Sequence, residues 1–235
     1  MRLAVMQPYL FPYLGYHQLA YAADDFVFYD DVAFIKGGWM NRNFLLGDQQ
    51  PQRFTLPLRG ATPNAAVVDT ATAHDAAWVA KFERTLTMSY TRAPFRDEVL
   101  ELAVGVMRDG IGKSLADVAA ASVRRVFDHL GLERRWYRSS VDFADTVGEG
   151  RATRLTTIAH RVGADVYVNA AGGADLYDKA DFASREVALQ FLHPRLSPYR
   201  QGGTREFVPS LSVLDVLMFN DRESVVAMLG EYELS

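Results

Sequence analysis

Short apolar runs separated by a helical segment open the chain. Residues 2–6 are mostly apolar and predict a buried strand, residues 16–23 have the composition of a helix, and residues 26–29 predict a second strand. A strand, a helix and a strand in close succession predict a βαβ unit, in which the strands are parallel and the crossover is right-handed. The chain therefore begins as an α/β protein.

The middle of the chain changes from strands to helices. Residues 44–46 and 53–58 predict a β-hairpin, and residues 59–75 predict a polar loop. Apolar side chains then recur every three or four residues, which predicts helices at 76–90, 95–107 and 114–130. Ser114 is the predicted N-cap of the third helix, and Gly131 follows its end.

The last third returns to α/β character. It predicts a strand at 136–140, a helix at 153–162, strands at 165–169 and 187–191, and helices at 211–218 and 223–229. We expect one domain over residues 1–235, with a parallel α/β core built from 1–58 and 151–235. The hairpin and a helical subdomain at 76–131 are expected to pack on this core.

The composition fits a large domain with a full hydrophobic core. Of 235 residues, 49% are hydrophobic. The formal net charge is −4, so nucleic acid is not an expected partner. The absence of cysteine excludes disulfides, thiolate catalysis and cysteine-ligated zinc. No apolar run approaches the ~20 residues of a membrane span, and Pro8 and Pro12 interrupt any signal-peptide pattern. We therefore expect a cytoplasmic protein without a membrane partner.

The densest group of polar-tipped aromatic residues follows the first strand. Pro8 and Pro12 stiffen this turn, and Gly15 leaves room for a ligand where the next helix begins. Open α/β sheets bind ligands at the carboxyl ends of strands and at the N-termini of the following helices. We predict that the turn binds a ligand through the side chains of Gln7, Tyr9, Tyr13, Tyr16 and His17. A purely structural turn is the alternative, above all for His17.

Two further groups follow the second strand. Asp30 and Asp31 suit a sugar hydroxyl, an amine or Mg²⁺, or else a turn held by their own side chains. The loop at 36–43 combines an ammonium, a guanidinium, an indole and two amides with glycines; such groups bind phosphates, carboxylates and rings. The predicted binding residues are Lys36, Trp39, Asn41, Arg42 and Asn43, and an ordinary surface loop is the alternative.

More candidates lie in the last third of the chain. Asn169, Gly172, Gly173 and Tyr177 belong to a turn after a predicted strand, where small residues let a ligand reach backbone amides. The turn carries no Walker motif and no dinucleotide fingerprint, so a structural turn is the alternative. Asp215 lies on an apolar helix, where a carboxylate needs a partner. No group of histidines has the spacing of a metal site, and we predict no metal.

The run Tyr13-Leu14-Gly15-Tyr16, placed after a strand, resembles the nucleotidylyltransferase superfamily. Those enzymes carry His-x-Gly-His at the start of the helix, where the two histidines hold the phosphates of ATP. The resemblance implies a Rossmann-like, nucleotidylyltransferase-like fold. Because tyrosine stands at both histidine positions, ligand binding at the helix N-terminus is compatible with the sequence, whereas histidine-assisted nucleotidyl transfer is not expected.

Longer motifs resemble the WbqC-like protein family from end to end. Residues 6–16 match Met-Gln-Pro-Tyr-x-Phe-Pro-Tyr-x-Gly-Tyr, and residues 29–32 and 35–43 match Tyr-Asp-Asp-Val and Ile-Lys-x-Gly-Trp-x-Asn-Arg-Asn. Residues 206–215 match a further pattern, and 168–177 match loosely. In the turn at 168–177 the resemblance implies a Gly-Lys pair, but this chain has Gly173-Ala174-Asp175. A lysine contact to phosphate is therefore not expected there.

The family resemblance implies a place in bacterial surface-polysaccharide, or O-antigen, biosynthesis. Our leading hypothesis is an enzyme that transfers an acyl or aminoacyl group to a nucleotide-linked amino sugar. Such a transfer needs a proton acceptor and donors that stabilise an oxyanion. The candidate bases are His17 and Asp31, and Gln7 is a candidate oxyanion donor.

Two alternatives stay open beside this hypothesis. One is an ATP-dependent transferase or ligase with a nucleotidylyltransferase-like pocket, and the other is a non-catalytic protein that binds sugar nucleotides. Across these hypotheses, the expected co-substrate is ATP or an acyl donor. An aminoacyl-tRNA as the donor is also compatible with the sequence. The residues carry no signal for an oligomeric state.

Overall fold

The structure, a computed structural model, describes residues 1–47, 50–62, 64–202 and 206–235. Within these residues the chain forms ten strands and nine α-helices. The strands are β1 (Arg2–Met6), β2 (Asp25–Phe28), β3 (Arg42–Gly47), β4 (Gln50–Thr55), β5 (Leu58–Arg59), β6 (Ala71–Thr72), β7 (Arg135–Arg138), β8 (Val166–Ala170), β9 (Ala188–Pro194) and β10 (Tyr232–Leu234).

The helices connect and cover these strands. They are α1 (Leu14–Ala22), α2 (Ala76–Ser89), α3 (Arg96–Asp109), α4 (Leu115–His129), α5 (Ser139–Asp142), α6 (Arg151–Val162), α7 (Lys179–Ala183), α8 (Val213–Phe219) and α9 (Arg222–Leu229). Two 3₁₀ turns lie at Ala144–Thr146 and Ala171–Leu176. In the described part of the chain, no helix is long and apolar enough to cross a membrane.

The central sheet has six strands in the order β10-β9-β8-β1-β2-β7. All neighbours are parallel except β9 and β10, so the predicted α/β fold with a mostly parallel sheet is confirmed. Numbered along the chain, the parallel strands have the spatial order 3-2-1-4-5, and the winding reverses between β1 and β8. Open α/β sheets bind ligands in the crevice outside the carboxyl ends of strands at such a switch point.

The sequence-based elements agree with the structure where their patterns are long. The N-terminal βαβ unit is confirmed, with Leu3 opposite Asp25 and Met6 opposite Phe28. The hairpin of β3 and β4 is also confirmed, but it forms a separate two-stranded sheet. The expected polar loop at 59–75 is wrong in part, because β5 and β6 pair there; residue 63 lies outside the described residues.

Helices cover both faces of the central sheet. Leu155 and Ile158 of α6 pack with Phe182 of α7 against one face, in a cluster that also contains Tyr167. On the other face, α1 and α4 pack on strand residues such as Phe26. The last helix of the expected helical subdomain therefore covers the sheet directly.

A third hydrophobic cluster joins parts of the chain that are far apart in sequence. It contains Leu10 and Phe11 from the turn after β1, Leu45 from the hairpin, Val118 from α4 and Leu214 from α8. The helices between residues 76 and 131 share this cluster with the turn after β1. The helical middle is thus packed onto the segment that we expected to bind a ligand.

Candidate functional site

The turn between β1 and α1 contains a buried residue in the left-handed region. Phe11 has a φ of 39° and is fully buried. For a bulky residue this conformation costs on the order of 1–3 kcal/mol, and strain of this kind is concentrated at functional sites. Three side chains hold Phe11 in place. Its amide donates to Ser122 Oγ at 2.8 Å, and its carbonyl accepts from Asn43 Nδ2 at 2.7 Å and from Ser212 Oγ at 2.8 Å.

The same turn forms one wall of a cavity of about 310 Å³. Its lining residues are Tyr9, Pro12, Tyr13, Trp39, Asn43 and Ser210. Ser210, which lines the cavity, also has a left-handed φ, at 59°, and Phe11 immediately precedes the lining residue Pro12. The Leu10 amide donates to the Trp39 carbonyl at 3.3 Å, which ties the two walls together. The structure therefore brings together binding candidates from the first turn and from the 36–43 loop.

Trp39 is the most accessible ring of the cavity, at 45% exposure. Phe44 supports it edge-on, with 5.9 Å between ring centroids, and the Arg42 guanidinium lies 6.0 Å from its centroid. Arg42 is oriented by a bond from its Nε to the Gly38 carbonyl. Neither Arg42 nor the exposed Lys36 forms an ion pair within the described residues, so both remain available to an anionic ligand.

Two candidate amides of this loop have structural partners. Asn43 is buried and its Nδ2 donates to the carbonyls of Leu10 and Phe11, while its Oδ1 accepts from the Phe44 amide. Asn41 Nδ2 donates to the Leu56 carbonyl and closes the hairpin. Asn43 therefore shapes the cavity wall by holding the turn.

The space beside Gly15 holds a side chain of the turn itself. A Cβ at Gly15 would lie 2.5 Å from Cε2 of Tyr13, so the ring of Tyr13 occupies the room that we expected a ligand to use. Tyr16 is buried in the core and its hydroxyl donates to the Gln7 carbonyl at 2.9 Å. The Tyr9 hydroxyl donates to Gln7 Oε1 at 3.3 Å. Of the two tyrosines at the expected histidine positions, only Tyr13 lines the cavity.

Asp30 and Asp31 bind arginines that the sequence analysis did not single out. Asp30 is fully buried and accepts from Arg138 Nε at 2.6 Å. Asp31 pairs with Arg154, which is 5% exposed, and Ser139 Oγ donates to Asp31 at 2.7 Å. These carboxylates join the end of β2 to β7 and α6. A base at Asp31 would first have to release Arg154.

Each nitrogen of the Arg154 guanidinium donates a hydrogen bond within the protein. Its Nε donates to Thr146 Oγ1 at 2.9 Å, its Nη1 donates to the Tyr29 hydroxyl at 3.1 Å, and its guanidinium carbon lies 4.7 Å from the Tyr29 ring centroid. Asp31 and Arg154 are separated by 123 residues along the chain, so no local pattern could have paired them.

The Asn169 group lies at β8, on the other side of the switch point. Asn169 is buried, and its Nδ2 rests against Gly173, where a Cβ would come within 2.5 Å. Gly172 is exposed. Tyr177 packs edge-on against Phe182, with 5.7 Å between centroids. The structure does not bring this group into the cavity of Trp39.

Asp215 has partners on one of its two carboxylate oxygens, while its Oδ1 is buried without a hydrogen-bond partner among the described residues. The Tyr199 hydroxyl and Gln201 Nε2 both donate to its Oδ2, the latter at 2.9 Å. Burial raises the pKa of the Asp215 carboxyl, and the hydrogen bonds from Tyr199 and Gln201 oppose this shift. Asp215 lies on the buried side of α8, in the core, and does not line the cavity.

His17 points into the core between α1 and α4. Its ring stacks on Phe127, with 6.2 Å between centroids, and its Nδ1 lies 3.3 Å from the Tyr13 carbonyl oxygen. Nε2 is buried and has no hydrogen-bond partner among the described residues. Burial lowers the pKa of His17 to about 4, so the imidazole is neutral near pH 7. In this structure it has no contact with solvent.

The side chains that line the cavity offer rings and hydroxyls rather than an acid–base pair. Burial raises the pKa values of Tyr9 and Tyr13, so both phenols stay protonated and can donate hydrogen bonds. Among the described residues, no group of three or more histidines and carboxylates is placed to hold a metal ion. The arrangement therefore suits recognition of a ring with polar substituents.

Fold and cavity together define an α/β protein whose mostly parallel sheet has an aromatic cavity at the carboxyl end of its first strand. A comparison with family models matches residues 7–227 to the WbqC-like protein family, and the chain belongs to that family. It is similar to the uncharacterized protein Rv1507c of Mycobacterium tuberculosis, with 24% identity over 222 residues and 93% of each chain covered. No solved structure gives a significant match.

Replacing Asn43 tests whether it holds the strained turn. Asn43→Ala leaves the buried carbonyls of Leu10 and Phe11 with fewer donors, and we expect the free energy of unfolding to fall by about 2 kcal/mol. Urea denaturation measures the change. Asn41→Ala is the control, because its single bond closes a partly exposed hairpin. Equal losses in the two variants would contradict a special role for Asn43.

Arg154 and Arg161 provide a matched pair on one helix. Arg154→Met leaves Asp31 buried without its cation, and we expect a loss of about 3 kcal/mol in the free energy of unfolding. Arg161 pairs with Asp145 at the surface, so Arg161→Met should change stability little. Chemical denaturation of both variants checks this. Similar small effects would show that the Asp31 pair does not anchor α6.

His17 predicts a pH dependence of stability. Its folded pKa of about 4 lies below the usual 6.5, so the unfolded chain takes up a proton that the folded chain does not. This stability is present above pH 6.5 and is lost as the pH falls towards 4, by up to about 3 kcal/mol. His17→Phe should lack this component in denaturation curves at pH 7, 5.5 and 4.5. The raised pKa of Asp215 makes stability fall as the pH rises, but this contribution is the same in the wild type and in His17→Phe. Parallel stability profiles of the two proteins would contradict the assignment of the pH dependence to His17.

Proposed function

We propose that this protein binds a nucleotide-linked amino sugar and transfers an acyl or aminoacyl group to its amine, in a cytoplasmic step of bacterial surface-polysaccharide biosynthesis. The observation that carries the proposal is the cavity lined by Tyr9, Tyr13 and Trp39, where aromatic rings lie together with hydroxyl-bearing side chains. Aromatic faces stack on sugar rings and bases, and small-molecule sites combine such faces with a few fixed polar groups. The motif resemblance implies this biological context, and it is supported to the extent that the chain belongs to the WbqC-like family.

The size of the cavity limits what it would hold. At about 310 Å³ it lies at the lower end of the range for ligand pockets. A single sugar or base ring fits such a volume, and the rest of a sugar nucleotide would extend beyond it. Arg42, whose guanidinium lies 6.0 Å from the Trp39 ring centroid, would suit a carboxylate or phosphate beside the cavity, and Lys36 belongs to the same loop.

The proposed transfer assigns roles that differ from those expected for His17 and Asp31. The amine attacks the acyl carbon, an oxyanion forms, and the bond to the leaving group then breaks. The protonated hydroxyl of Tyr13 is the candidate donor to that oxyanion, whereas the Tyr9 hydroxyl already donates to Gln7 Oε1. The amine proton passes to the leaving group or to solvent, which requires no buried base.

A second candidate function is favoured by the strand order. The order 3-2-1-4-5 is that of the Rossmann-like sheets that bind nucleotides at the switch point. It supports an ATP-dependent transferase or ligase with a nucleotidylyltransferase-like pocket. The burial of Tyr16 argues against phosphate stabilisation from the second of the two histidine positions.

Trp39 is the residue with which to test the proposed function. Uridine-diphosphate amino sugars are titrated into the wild type, Trp39→Ala and Trp78→Phe, the last being a control on α2 away from the cavity. We expect Trp39→Ala to weaken binding by about tenfold or more, because a stacking surface is lost, and Trp78→Phe to leave it unchanged. Calorimetry gives the affinities.

Product analysis separates the hypotheses. Mass spectrometry should detect an acylated amino sugar when an acyl donor is added, and release of AMP or diphosphate from ATP would favour the ligase instead. Tight binding without any product would identify a non-catalytic binding protein. If no amino-sugar nucleotide binds, or if binding does not depend on Trp39, the proposed function is wrong.

A further inference from the structure

Ser210 has a backbone conformation that serine rarely adopts. Its φ is 59°, in the left-handed region, and it is an exposed residue in the wall of the cavity of Trp39. A residue with a Cβ is strained in this region, and it persists there only where the surrounding structure fixes it. The strain therefore raises two questions: what holds the backbone in place, and what the serine side chain contributes in return.

Anchors on both sides fix the backbone of Ser210. On the N-terminal side, the side chain of the buried Gln201 forms two bonds with the backbone of Val208. Its Oε1 accepts from the Val208 amide at 2.8 Å, and its Nε2 donates to the Val208 carbonyl at 3.0 Å. On the C-terminal side, the Ser212 amide donates to the Phe44 carbonyl at 2.8 Å. Buried contacts of its neighbours therefore set the position of Ser210 at the cavity.

The hydroxyl of Ser210 contributes no bond to this arrangement. In the described part of the chain it forms no hydrogen bond. The helix that follows, α8, is capped by Ser212, whose side chain accepts from the Leu214 amide. A glycine would adopt the same φ without a steric penalty. What serine adds over glycine at this position is a hydroxyl in the wall of the cavity.

A left-handed φ alone does not identify a site. Glu186 has a φ of 60° in an exposed turn between α7 and β9, and it does not line the cavity. Ser210 differs because it shares the cavity wall with Tyr13 and Trp39. Position thus distinguishes the two residues, and Glu186 serves as a matched control for the effect of strain.

We infer that the Ser210 hydroxyl determines the specificity of the cavity by binding a hydroxyl group of a sugar ring that stacks on Trp39. A serine hydroxyl both donates and accepts, so it matches a sugar hydroxyl, which does the same. A site that bonds a substrate hydroxyl discriminates against an analogue that lacks it. That the ring belongs to an amino sugar rests on the proposed function, whereas the contact itself requires no transfer reaction.

Two substitutions at position 210 separate the hydroxyl from the backbone. Ser210→Ala removes the hydroxyl and keeps the strain, whereas Ser210→Gly removes both. We expect both variants to bind uridine-diphosphate amino sugars about fivefold more weakly than the wild type in calorimetry. Ser210→Gly should nevertheless raise the melting temperature of the ligand-free protein by about 2–4 °C. Glu186→Gly should give a similar rise with unchanged binding, so weaker binding in a more stable protein is specific to Ser210.

Deoxy sugars identify the group that the hydroxyl binds. Analogues that each lack one sugar hydroxyl are titrated into the wild type and Ser210→Ala. One analogue should bind the wild type about fivefold more weakly and should be insensitive to Ser210→Ala, because the two changes remove the same hydrogen bond. If every analogue stays as sensitive to Ser210→Ala as the parent sugar, Ser210 binds no sugar hydroxyl and the inference is wrong.

The remaining outcomes separate this inference from the proposed function. If both variants bind as tightly as the wild type, or if Ser210→Gly lowers the melting temperature, the inference is wrong. Trp39-dependent binding of amino-sugar nucleotides would then still support the proposed function. If free glucosamine binds in a Ser210-dependent way while no amino-sugar nucleotide binds, the contact stands and the proposed function fails. If neither ligand binds, both are wrong.

Discussion

The left-handed conformation of Phe11 is the constraint on which the cavity depends. A strained, fully buried residue persists only where its surroundings fix it, and the three side chains that bind it come from α4, β3 and the N-cap of α8. The helical middle is therefore required at the site, because its α4 supplies Ser122. The turn after β1 and the loop of Trp39 can face each other only when all of these segments have folded.

The carboxylates after β2 fix the opposite side of the carboxyl edge. Asp30 holds Arg138 of β7, and Asp31 holds Arg154 of α6. The desolvation of buried ion pairs offsets much of their attraction, so their main consequence here is geometric. Arg154 lies one turn into α6, and its bonds to Asp31 and Tyr29 tie the start of this helix to the end of β2.

Local patterns predicted the long elements, and the rest depended on tertiary contacts. The βαβ unit, the hairpin and the three central helices carry repeated apolar spacing. By contrast, α5, α7 and β10 have four, five and three residues, too few for a period to emerge. The orientation of α1 could not be predicted either, because the helix is buried almost all round and no polar stripe distinguishes the position of His17 from a cavity-facing one. The partners of Asp30 and Asp31 lie more than 100 residues away.

The carboxyl edge of the sheet has two regions that differ in what they leave free. On the side of α1 and the Trp39 loop, aromatic rings and hydroxyls line a cavity of about 310 Å³. At the end of β2, the carboxylates of Asp30 and Asp31 are already bound by Arg138 and Arg154. Because a carboxylate held by a guanidinium has to leave that cation before it can take a proton, the second region serves to fix the strands and α6 in place. The first region is the one whose surface a small molecule could meet without breaking an ion pair.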